Sequence, residues 1–447
     1  MPRTVVVILE GAAPQLLEKW GRDGALPSFR ELEERGTLGN LESLPVPYEL
    51  PAQVTAFSGA LPGEHGCFSL WPVRGDRLSD LPRVLRAEDV AVPWLWERWP
   101  EVRSCVVNLF GTHPPRPGAE FLITYPFYPT LHASNPPGLL RDLARAGLPY
   151  AHDASVLFKG ETRGEFFDRV RRVEELRMRV CLHLLASDAR LFVFNLTILD
   201  RLSHFWWREV ETGEDDEGSI LWQAYRLADR FLGEAASLLG PEDHLIVFSE
   251  FGFGPLDAYV SLNEVLAQAG LLAMSDGEVD YRRTVASEAV QGSHGINMSL
   301  RRRHTDGVVA ETDEEARLRE VQEALLAAAN PHTGQPLIRS VRRGPEIYPG
   351  PCSHLAPDLV VEPFDERYQP LGDPRWATRL YRHLQTGWHR RKSFWIGLGP
   401  RFGCGVRGPV ASCPDIACTL AGLLDRELPE SPGRSLASSA VAGHGTI

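Results

Sequence analysis

Three apolar runs each end on an acid: VVVIL on Glu10, LFVFNLTIL on Asp200 and LIVFS on Glu250. Continuous Val/Ile/Leu-rich runs read as buried parallel strands, and open α/β sheets bind ligands outside the carboxyl ends of their strands. Acids gathered there repel one another and are costly to desolvate unless a cation compensates them. His204, four residues after Asp200, and His389 in GWHRR add the ligand types that such a cation takes. These residues point to a metal-centred enzyme.

The elements that must position them follow from the same pattern. Strand-like runs recur at 4–9, 104–109, 191–197, 245–249, 357–361 and 394–398, with helical periodicity at 171–187, 219–239, 261–272, 313–328 and 414–424. Strands alternating with helices imply βαβ units and an α/β fold, with a mostly parallel central sheet flanked by helices on both faces. The domain is expected to span 1–430, with an irregular inserted subdomain or cap at about 255–355 and a Ser/Ala/Gly-rich tail at 431–447. The acidic stretch EVETGEDDEG (209–218) reads as a solvated loop and lacks the spacing of a calcium loop.

Composition narrows the class. The formal net charge of −12 argues against nucleic-acid or anionic-membrane partners, both of which need a basic face. It leaves open a small anionic or nucleotide-like substrate that meets local metals and arginines. Seven cysteines without a CxxC pair predict a reduced, cytoplasmic setting and no thiolate zinc knuckle. No apolar stretch reaches the length of a membrane-spanning helix. Oligomeric state is not readable from these features.

Beyond single residues, the segments VVVILEGA, GALPSFRELEERG, LPGEHGCFSL, LDRLSHFWW, LIVFSEFGFG, INMSLRRRHTDGVV, APDLVV, GWHRRKSFWIGLGP and PDIACTL occur in an order and spacing that resembles the alkaline phosphatase superfamily. The resemblance is to its bacterial type I phosphodiesterase and phosphohydrolase/phosphomutase-like branch. It implies an alkaline phosphatase-like fold and a dinuclear metal site. One metal would be held by Asp200 and His204 of a D-x-x-x-H motif and by His389, all intact. The second half departs from the family pattern. Its first-strand Asp is Glu10, its S-D-H-G motif is Ser249-Glu250-Phe251-Gly252, and Glu49 in VPYELPAQ takes the place of the Thr nucleophile. Tyr48 is the adjacent alternative, whereas Thr55 and Ser58 lie too far along the following helix.

A glutamate cannot form the family's phosphoryl ester, so the covalent step is expected to be lost; an acyl phosphate on the carboxylate is the chemical alternative. The acids have nevertheless been kept or added. The expected ligand set is Glu10, Glu49, Asp200, Glu250, His204 and His389, with Glu49 bridging two divalent ions and also carrying catalysis. A set so rich in carboxylate favours iron or manganese, with zinc the alternative. Arg201 and Arg390, beside these ligands, could bind a substrate anion, as could Arg391 and Lys392. His113 and Arg116 could face the same crevice. His65 reads as a turn residue, and Trp206 and Trp207 as core.

Three functions are compatible with this sequence. The first is metal-dependent hydrolysis or group transfer on a phosphate or related ester by a non-covalent route. The second is a repurposed iron or manganese centre with non-hydrolytic, oxidative chemistry. The third is a non-catalytic ligand-binding relative.

Overall fold

A computed structural model describes residues 2–73, 75–80, 83–125, 133–152, 161–370, 372, 380–381 and 384–438. The chain divides into two compact units, 1–60 with 86–253 and 389–447, and 61–85 with 254–388. The second unit thus includes 61–85, a stretch that the sequence left within the main domain. Tail residues 439–447 lie outside the described residues.

The first unit is built on a mixed sheet. Its strands are β1 (Thr4–Leu9), β2 (Thr37–Glu42), β3 (Ser104–Leu109), β4 (Phe121–Thr124), β5 (Ser134–Asn135), β6 (Leu191–Leu196) and β7 (His244–Phe248), with a further strand at Lys392–Leu398. Among the described residues the order runs β2, Lys392–Leu398, β7, β1, β6, β3, β4, β5. β1 pairs in parallel with β6 and with β7, and β3 pairs in parallel with β6 and β4. Lys392–Leu398 is antiparallel to both β7 and β2. Every residue of β1, β3, β6 and β7 is buried, which is why these strands read as unbroken apolar runs rather than alternating ones.

Two sequence expectations change. The run near 357–361 forms Leu359–Pro363, which joins a four-stranded antiparallel sheet in the second unit, with Gly295–Met298 and Ile338–Arg343 as its neighbours. The acidic stretch is not all solvated loop: the Ile198–Thr212 helix runs into it, and buried Asp215 accepts Lys19 Nζ at 2.8 Å.

The order of strands is what gathers the acids. β1 lies between β6 and β7, with Leu9 opposite Leu196 and Ile8 opposite Phe248. Three chain segments therefore leave neighbouring strand ends together, carrying Glu10, Asp200 and Glu250. Asp200 sits in the first turn of the Ile198–Thr212 helix, and Glu49 opens α3 (Glu49–Ser58), a helix buried along its whole length. α3 packs against the Cys413–Leu423 helix, which is likewise largely buried.

Gly11 turns the chain at the end of β1 with φ of +73°. A Cβ there would lie 2.9 Å from the Asp200 Cα, so the left-handed backbone and the close approach both demand glycine. Gly11→Ala is expected to cost at least about 1 kcal/mol from backbone conformation alone and to lower the thermal midpoint; an unchanged midpoint would contradict this.

Candidate metal centre

The neighbouring strand ends, the first turn of α3 and the strand Gly387–Arg390 bring Glu10, Glu49, Asp200, His204, Glu250 and His389 into one unit, and all six are buried. Two groups have ligand atoms that converge within 4.8 Å: Asp200, His204 and His389, and Glu10, Glu49 and Asp200.

In the first group, Asp200 Oδ1 is 3.0 Å from His389 Nε2 and 3.4 Å from His204 Nε2. His389 Nδ1 lies 3.1 Å from the Pro47 carbonyl, which can only accept, so Nδ1 carries the proton. Burial holds His389 below its ordinary value, which favours the neutral ring. Its Nε2 then presents a lone pair to a carboxylate oxygen. A cation between them resolves that opposition, and two imidazoles with one carboxylate suit zinc, iron or manganese. The Phe251 ring stacks on His389 at 4.0 Å and covers one face of it.

The second group is arranged differently. Glu10 Oε1 accepts Arg201 Nη1 at 3.1 Å, and Glu10 Oε2 accepts the Asn195 amide at 2.8 Å. Arg201 Nη1 also donates to Asp200 Oδ2, and Nη2 donates to the Tyr125 hydroxyl at 3.2 Å. Glu250 Oε1 accepts the Gln53 amide at 2.8 Å. Glu49 Oε2 and Glu250 Oε2 are buried and without a hydrogen-bond partner among the described residues. Arg201, expected to meet a substrate anion, is instead 2 % exposed and paired with two acids. A buried guanidinium keeps its charge and needs such partners.

The electrostatics follow from burial. Burial would raise Asp200, but His204 and Arg201 beside it hold its carboxyl well below the usual range. Burial, opposed by Arg201 and reinforced by Asp200, pushes Glu10 well up. Glu49 is pushed up to about 8 by burial and the nearby Asp200, even though it sits at a helix N-terminus that favours its charged form. Burial pushes Glu250 up to about 7 against the Gln53 hydrogen bond.

The remaining candidates belong to neither group. Arg390 is half-buried and donates to the His389 carbonyl at 2.9 Å, while Arg391 pairs with Glu42 at 2.8 Å and Lys392 is exposed. Arg116 is held by Glu97, and His113 Nδ1 contacts Thr124 Oγ1 at 3.1 Å. Tyr48 is buried and precedes α3, its ring 5.6 Å from that of His389. Ser58 Oγ donates to the Val54 carbonyl, and Thr55 lies a full turn into α3. In the second unit, buried His65 accepts the Cys67 amide. Trp206 and Trp207 belong to the core. Sequence reasoning missed the donors Asn195 and Gln53. An asparagine inside the apolar run LFVFNL was the available signal for the first.

The family model for type I phosphodiesterase / nucleotide pyrophosphatase matches residues 4–391. Among solved structures, the chain is similar to human ectonucleotide pyrophosphatase / phosphodiesterase 5, with a TM-score of 0.58 at 13% identity, covering 96% of this chain and 97% of that one. The murine protein of the same name, in an inactive form in complex with AMP, gives 0.59 at 15% identity, covering 97% of each. These likenesses show the fold. No curated protein matches the sequence.

A pH dependence follows from the raised acids. Glu49 and Glu250 bind their protons more tightly in the folded chain than at the ordinary value of 4.5, so the folded state gains stability at acid pH. That contribution is lost as pH rises from about 4.5 through about 7 and 8. Protein held in chelator should lose up to about 1 kcal/mol per pH unit for each group across this window. Urea unfolding measures it, and Glu49→Gln should flatten the profile; a flat wild-type profile would refute the assignment.

Proposed function

The chain belongs to the type I phosphodiesterase / nucleotide pyrophosphatase family of the alkaline phosphatase superfamily, and from that premise we propose that it is a metal-dependent hydrolase or transferase of a nucleotide-like phosphoester that works without a covalent phosphoryl-enzyme. The observation that carries this reading is the convergence of Asp200 Oδ1 with the Nε2 atoms of His204 and His389.

Asp200, His204 and His389 would hold a divalent ion, which when bound supplies Lewis-acid charge stabilisation to a phosphoryl group. The rest of the chemistry falls to side chains. The Pro47 carbonyl orients His389, and the Phe251 ring excludes water from one face of it. Glu49 stands where the family places its hydroxyl nucleophile and has a buried oxygen without a partner. With its carboxyl pushed up to about 8, it can hold a proton or accept one from water near neutral pH, as general acid–base work requires. Arg390, beside His389, is the arginine for a substrate anion, since Arg201 is engaged with acids.

The partnerless oxygens of Glu49 and Glu250 favour a second reading, a carboxylate-rich iron or manganese centre with oxidative chemistry. Iron content together with oxygen-dependent absorbance would establish it in place of hydrolysis.

Hydrolysis of an aryl phosphodiester by the purified protein tests the first reading. Activity should vanish in chelator, return with zinc or manganese, and fall by ~100-fold or more in Asp200→Asn and His389→Ala. Acid quench during turnover should trap no phosphoryl-protein. Activity that survives chelator would refute metal dependence, and protein with neither metal nor turnover would leave a ligand-binding relative.

A further inference from the structure

We propose that the guanidinium of Arg201 replaces the second metal ion of the family's site, so that this protein works with one divalent cation and one covalently fixed cation. The inference rests on the reading of Asp200, His204 and His389 as a metal site and concerns what fills the other half.

Three observations carry it. The guanidinium already occupies the second group, because Nη1 donates to both Glu10 and Asp200, two of the three residues that converge there. Both oxygens of Glu10 already accept hydrogen bonds, one from Arg201 and the other from the Asn195 amide, so the protein itself compensates this carboxylate. The position where the family carries a histidine ligand is Phe251, whose ring stacks on His389 and offers no donor atom.

Charge points the same way. Glu10, Glu49, Asp200 and Glu250 supply at most four negative charges within this buried site. Two divalent ions beside a guanidinium would place five positive charges among them, whereas one ion with Arg201 places three. An arginine does not lose its proton in a protein, so its charge cannot step aside for a metal. Its position is fixed by neighbours as well: Nη2 is bonded to Tyr125, and the residue is 2 % exposed. The short step from Asp200 to Arg201 places ligand and counter-cation on one helical turn. Glu49 and Glu250 each keep one buried oxygen without a hydrogen-bond partner among the described residues.

Elemental analysis of protein purified without chelator and equilibrated with manganese(II) or zinc(II) tests this directly. One ion per chain is expected. It should be lost in His204→Ala and retained in Glu10→Gln and Arg201→Lys. Arg201→Met should take up a second ion, with a further rise in thermal midpoint on adding metal. If Arg201→Met does not fold, a single ion retained in Glu10→Gln still supports the proposal. Two ions in the wild type would overturn it while leaving the hydrolase reading intact. An ion lost in Glu10→Gln but kept in His204→Ala would overturn it too, as would a folded Arg201→Met that still binds one ion. A wild type that binds no ion would remove the metal-site reading itself and the proposal with it.

Discussion

Like charges forced together in a dry place are the constraint on which this molecule turns. The pairing of β1 between β6 and β7 delivers Glu10, Asp200 and Glu250 to adjacent strand ends, and α3 adds Glu49. Four carboxylates so placed would expel one another if all were charged. The fold answers with donors: Arg201 to Glu10 and Asp200, Asn195 to Glu10, and Gln53 to Glu250. What these donors leave unanswered is the lone-pair opposition around Asp200 Oδ1, and the remaining polar oxygens of Glu49 and Glu250. What the fold leaves unsatisfied is therefore local and can be assigned to particular atoms.

Much of this was legible in the sequence, for identifiable reasons. Strands buried on both faces leave unbroken apolar runs, so β1, β3, β6 and β7 could be located within a residue or so and the acids that follow them picked out. β2, TLGNLE, carries no such run because it pairs between Lys392–Leu398 and short edge strands, and it went unseen. The antiparallel direction of Lys392–Leu398 was equally hidden, since direction is set by the connection and not by the strand's own residues. Around the site, spacing and resemblance picked out the six candidate residues that the structure buries in one unit. The role of Arg201 was not. A charged residue next to a ligand looks the same in sequence whether it points to solvent or turns inward, and only the positions of Glu10 and Tyr125 decide it.

Family membership fixes ancestry and fold over residues 4–391, yet fold does not determine chemistry. Against the family pattern that the sequence resembles, the departures fall at four positions, glutamate at Glu10, Glu49 and Glu250 and phenylalanine at Phe251. Asp200, His204 and His389 converge in a way that could hold a metal, whereas Glu10 and Glu250 accept hydrogen bonds from Arg201, Asn195 and Gln53.

The Phe251 ring, stacked 4.0 Å from His389 with an interplanar angle of 23°, has one more consequence. An aromatic ring current shields nuclei held above its face, so the carbon-bound protons of the His389 imidazole should resonate upfield of those of the exposed histidines. The phenylalanine thereby gives its neighbour a spectroscopic label. That label lies on a histidine of the candidate metal group.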